Sequence, residues 1–104
     1  MVATQETSLN AIAVKLADML ALQELLISNE QTLLPACSSD EKIASTLREI
    51  NAEDQENLQT IRAAISELGV TASPQQKTQE MASKVKAMMS SDQLVLHYFF
   101  MQHQ

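Results

Sequence analysis

Turn-forming residues are almost missing from this chain. Its 104 residues include one glycine and two prolines, so it has little material for tight turns, which argues against a strand-rich fold. Aromatics are scarce as well: one tyrosine, two phenylalanines and no tryptophan. Cys37 is the only cysteine, which rules out an internal disulfide and a Cys₂His₂ zinc site. No apolar run approaches the 18 residues of a membrane span, and Met1 to Glu6 lacks the basic and apolar regions of a signal peptide. A cytoplasmic protein with a reduced thiol is the expectation. Basic residues are few: seven Lys and Arg against thirteen Asp and Glu, a net charge of −6. They are scattered rather than clustered, so no nucleic-acid partner is expected. The segment 92–104 has no cationic face, so no membrane-surface role is expected either.

What the chain does contain is helical material, with 45% hydrophobic residues, mostly Ala, Leu, Ile and Met. Helix 1 is expected over about 8–34, with Thr7 or Ser8 as cap and Pro35 just beyond its end. Helix 2 is expected over about 39–68. Ser38 and Glu41 have capping-box spacing, and Gly69 suits a left-handed C-terminal cap. The short connection near 36–38 makes the two helices antiparallel. Helix 3 is expected over about 74–89, with Ser73 as cap, Pro74 at its first position and Gln76 closing a capping box. Ser90, Ser91 and Asp92 read as a break before a short helix 4 at 92–103. Whether helices 3 and 4 are one kinked helix stays open. The fold class is all-α: one domain over 1–104, an antiparallel helical bundle with a short fourth helix.

Helical projection at about 100° per residue puts Ile12, Leu16, Met19, Leu20, Leu26, Ile27, Leu33 and Leu34 on one face of helix 1. Gln23 falls near the centre of that stripe and Glu24 on its flank. On helix 2, Ile43, Leu47, Ile50, Leu58, Ile61, Ile65 and Leu68 form the stripe, with Asp54 at its centre and Asn57 at its edge. A carboxylate there is costly unless it is paired, protonated or bound to a cation. A hairpin folded about residue 37 sets Asp54 opposite roughly position 21. The expected polar layer is then Gln23, Glu24 and Asp54, with Asn51 and Asn57 nearby. Glu30 is expected apart from it, as an ion pair or cap near the turn. Met81, Val85 and Met88 give helix 3 a narrow, adaptable stripe. Leu94 to Met101 is apolar on every side.

The stretches Leu25 to Pro35, LLISNEQTLLP, and Leu47 to Gly69, ending AAISELG, resemble the YciF-like ferritin-like proteins. Lys15 to Leu34, KLADMLALQELLISNEQTLL, and Glu53 to Leu58, EDQENL, are more similar to cyanobacterial hemerythrin HHE-cation-binding-like proteins. The resemblance implies a ferritin-like fold. Di-iron members of that fold carry a Glu on each of two helices and a Glu-x-x-His pair on each of the other two. Asp54-x-x-Asn57 stands where such a pair would be, and Glu24 where the helix 1 carboxylate would be.

Two functions follow as expectations. One is a non-catalytic, self-associating helical protein, a homodimer through helix 4 and the Met-rich helix 3. Its polar layer would be a vacant, hydrogen-bonded remnant of a metal centre. The alternative is metal binding, with Glu24, Asp54 and His97 meeting across a dimer. The resemblance implies iron there, in storage or protection against oxidative stress.

Overall fold

A computed structural model describes residues 2–102 of the chain, and side-chain surroundings for 8–89. The described residues are almost entirely helical, with α1 at Val2–Leu33, a single 3₁₀ turn at Pro35–Cys37, α2 at Glu41–Leu68 and α3 at Gln76–Gln102. Among the described residues there are three long helices, not four. α3 runs without interruption through Ser90, Ser91 and Asp92, correcting the expected break. Ser and Asp cost a helix interior only a few tenths of a kcal/mol each, and neither Gly nor Pro stands there to stop it.

Local chemistry accounts for most of the helix ends. Asp40, in an extended conformation, caps α2 by accepting the Ile43 N–H at 3.2 Å, so the cap lies two residues beyond the expected Ser38. Gly69 ends the helix with φ +74°, donating its N–H to the Ile65 carbonyl at 3.3 Å. Only glycine takes that left-handed position without strain.

The start of α3 is different. Its expected local cap, Ser73, is not used. Asp18, 57 positions earlier in α1, accepts the Gln75 backbone N–H at 2.8 Å and the Gln75 side-chain amide at 2.7 Å. The Gln75 carbonyl then accepts the first helical bonds, from Thr78 and Gln79. These bonds hold the Asp18 carboxyl below its ordinary value, the backbone N–H contributing most and the side-chain amide next, while burial opposes them. An anion at a helix N-terminus also suits the helix dipole. One side chain thus fixes where α3 begins relative to α1.

α1 packs on both other helices, whereas α2 and α3 do not meet among the described residues. The molecule measures 65 × 25 × 11 Å. Two interaxial spacings of about 8–10 Å account for a width of that order, so three helices lie abreast with α1 in the middle. The radius of gyration is 17.7 Å, against about 13 Å for a compact domain of this length. Among the described residues such a row closes no core: Ala13, Ala17, Leu25, Ile27, Ala36, Ala44 and Leu58 are the buried apolar residues, and no large side chain is fully enclosed.

Asp18→Ala should release the start of α3 and spare the α1–α2 hairpin. Amide exchange at 75–79 should quicken at neutral pH while exchange at 44–61 stays unchanged. In the parent protein the same release should come only as pH falls below the ordinary carboxylate range, because a depressed carboxyl loses its contribution there.

Candidate functional site

The polar layer between α1 and α2 exists, with different members from those expected. Glu30 is buried, at 9% exposure, and its Oε1 accepts the Asn51 side-chain amide at 2.9 Å. Asn51 in turn accepts a weaker bond from the Gln55 amide at 3.3 Å. Asp54, half-buried, shares a hydrogen bond with Glu30. The Glu30 carboxyl is pushed up to about 7, by burial first, then by its bond to Asp54, with the Asp54 charge a smaller contribution; the Asn51 amide pulls the other way. Below about pH 7, Glu30 keeps its proton and donates it to Asp54. Two carboxyl groups in contact do not both ionise cheaply.

The register explains why Glu30 displaces Gln23 and Glu24. Glu30 against Asn51 centres the hairpin between residues 40 and 41. The 3₁₀ turn and the Ser38–Asp40 segment both lengthen the connection. Antiparallel helices slide two positions for each residue added, so a shift of three to four residues moves partners by about two turns. Asp54 therefore lies opposite position 27 rather than 21. Gln23 is left at the level of Leu58, its buried amide nitrogen without a partner. Glu24 is exposed and borders a separate cleft of about 360 Å³ formed by Ala13, Ala17, Leu20, Ile65 and Pro74. Asn57 is exposed. The structure thus joins Asp54 to Glu30 and Asn51, and sets Glu24 six residues away along α1. His97 lies within α3, and its side chain is outside the described residues. Among the described residues no three His, Cys, Asp or Glu side chains are grouped to hold a metal, and no helix is long and apolar enough to cross a membrane.

A second feature was not read from the sequence. Ile12, Met19, Leu22, Leu26, Ile43, Ile50, Met81 and Met88 are large, apolar and exposed, from 38% at Leu22 to 62% at Met88. Projection places them together. On α1, Glu30 points to α2 and Asp18 to α3. Met19, Leu22 and Leu26 fall in the gap between those directions on one side, with Ile12 at its edge in line with Glu30, whereas exposed Asn10, Glu24 and Gln31 fall in the opposite gap. On α2, Asn51 and buried Leu58 mark the direction of α1, and Ile43 and Ile50 stand roughly 90° to one side. Because α2 runs antiparallel, its residues wind in the opposite sense from a common viewpoint, which brings that side onto the face of Met19. α3 runs parallel to α1, from Asp18 to the 3₁₀ turn. Buried Thr78 marks its inner side, and Met81 and Met88 stand to the same side as Met19. All three helices thus present apolar residues to one face of the row. Glu41, Arg48, Gln55 and Arg62 lie on the other.

Comparison with known proteins gives a different kinship from the expected one. No protein-family profile matches the chain. No solved structure matches it. The chain is similar to a DNA nickase of Nostoc sp. (strain PCC 7120). The two are 37% identical over 99 residues, covering 95% of this chain and 28% of that protein, so the chain spans under a third of its relative's length. This overturns the ferritin-like and hemerythrin-like resemblance. Repeating Leu, Glu and Gln at helical spacing produce such likenesses in unrelated helical chains, because the pattern reflects amphipathicity rather than descent.

The Glu30 proton makes stability depend on pH. A raised carboxyl favours the folded state at low pH, and that contribution is lost as pH rises from the ordinary value of 4.5 through about 7. Urea unfolding should show lower stability at pH 8.5 than at pH 5.5, by at most about 2 kcal/mol. Glu30→Gln should flatten the dependence and raise stability at pH 8.5.

Proposed function

We propose that this chain is a non-catalytic helical association module that self-associates, completing its core by packing the apolar face of its three-helix row against a second layer. The single observation behind this reading is the segregation of eight exposed large apolar side chains onto one face of a sheet one helix thick. Soluble monomers seldom leave so large an apolar patch open, and such patches mark association sites. The methionines of the segment expected to mediate association, Met81 and Met88, belong to that face.

Surface area supports the same reading. The accessible surface is 7275 Å², whereas a compact monomer of 11.5 kDa exposes roughly 5,800 Å². The surplus of about 1,500 Å² per chain is on the scale of an obligate dimer interface.

A second reading comes from the Nostoc relative, whose name says it nicks DNA. This chain would then share in cutting DNA. The acidic balance of the chain, a net −6, supplies no attraction for a phosphate backbone.

Sedimentation velocity at micromolar concentration should give a species heavier than the 11.5 kDa monomer. Met19→Lys with Leu26→Lys should convert it to monomer, because each buries a charge in the contact. Supercoiled plasmid incubated with the protein and Mg²⁺ or Mn²⁺ should stay supercoiled. Conversion to open circles that is lost in a preparation carrying an inactivating substitution would favour the second reading instead.

A further inference from the structure

We infer that the second layer is another copy of this chain, related by a two-fold axis parallel to the helices, so that α1 lies on α1 in parallel and each α3 lies over the partner's α2. The inference rests on the association reading above and adds its partner and its symmetry.

Two independent features select that axis. The first is the spacing on α1. Ile12, Met19 and Leu26 are seven residues apart, and Leu22 falls three after Met19. Ile12, Met19 and Leu26 take successive a positions of a parallel coiled coil and Leu22 a d position, while the d position after Ile12 carries exposed Lys15; in that arrangement each residue meets its own counterpart across the axis. An axis perpendicular to the helices would reverse α1 and allow such self-contact at a single level.

The second is charge at the rims of the face. Gln75 stands beside Asp18 and α3 runs parallel to α1, so Lys84 stands beside position 27. Asn51 stands beside Glu30 and α2 runs antiparallel, so Glu53 stands beside position 28. Lys84 and Glu53 are both exposed, at one level, on opposite edges of the row. An axis parallel to the helices exchanges the two edges and keeps the level. It sets Lys84 over Glu53 of the partner subunit, and the symmetry repeats the contact. The perpendicular axis would stack α3 on α3 and take Lys84 away from Glu53 of the partner subunit. Complementary rim charges fix register more than they add affinity.

The test uses single cysteines in a Cys37→Ser background, oxidised at low protein concentration. Ile12→Cys and Leu26→Cys are about 21 Å apart along α1, and both positions are exposed, so neither change disturbs the folded row. The expected result is a disulfide-linked dimer from each. Cross-linking of only one, or of neither, in a protein that still sediments as a dimer would overturn the parallel axis and leave the association reading standing. A monomer in sedimentation would overturn both. As a second readout, Lys84→Glu and Glu53→Lys should each weaken dimerisation at least threefold at low salt, and together restore it. Failure of the double variant to recover would count against the rim contact and the axis with it.

Discussion

Everything in this structure depends on α1, which among the described residues alone touches both other helices. A helix with neighbours on two sides can bury two of its flanks. The helices at the edges can bury one each. The consequence is arithmetic rather than accidental: a row of three amphipathic helices always leaves the third stripe of α1, and a flank of α2 and of α3, facing water. Which side receives the apolar residues is set by the sequence, and here Ile12, Met19, Leu26, Ile43, Ile50, Met81 and Met88 all fall on one side. Under the proposed association the row is half of a two-layer packing, in keeping with the rule that domains are built from at least two layers around a core.

The row is held by two polar contacts of opposite character. Asp18 on Gln75 joins α1 to α3 with an ionised carboxylate that accepts two bonds at the start of a helix, an arrangement that needs the charge. Glu30 with Asp54 and Asn51 joins α1 to α2 with a carboxyl that is more comfortable neutral. The two respond to pH in opposite directions and in different ranges. Acid weakens the α3 attachment below the ordinary carboxylate range. Alkali loads a charge into the α1–α2 seam as Glu30 passes about 7.

Local signals in the sequence were legible and distant ones were not. Gly69 after Leu68 announced the end of α2, and the short segment after Pro35 announced an antiparallel hairpin, because caps and turns are decided by neighbouring residues. The hairpin's centre was not legible. Whether Pro35 to Asp40 adds three residues or six to a turn depends on a 3₁₀ segment and on Asp40, rather than Ser38, taking the cap. That small difference exchanged Glu30 for Gln23 and Glu24 beside Asp54. The Asp18 cap spans 57 positions, and no local pattern could reveal it. The exposed apolar face was hidden for another reason. Ile12, Met19 and Leu26 were read as core, which their periodicity warrants, since a stripe does not tell whether its partner lies in the same chain.

Glu30 and the apolar face are neighbours, and this ties the two main features together. Glu30 projects within about 40° of Leu26 on α1, at the edge of the seam that a second layer would cover. Covering that seam removes water from a carboxyl that burial has already raised to about 7, and further desolvation favours the neutral form more strongly. Association and protonation are then linked. Any layer that packs on this face binds more tightly when Glu30 holds its proton, and by the same linkage raises the carboxyl further when it binds. A buried acid that looks like a defect in a hairpin core becomes, in the two-layer assembly, the group that makes closure sensitive to pH near neutrality. Gln23 belongs to the same seam. Its amide nitrogen lacks a partner within the row.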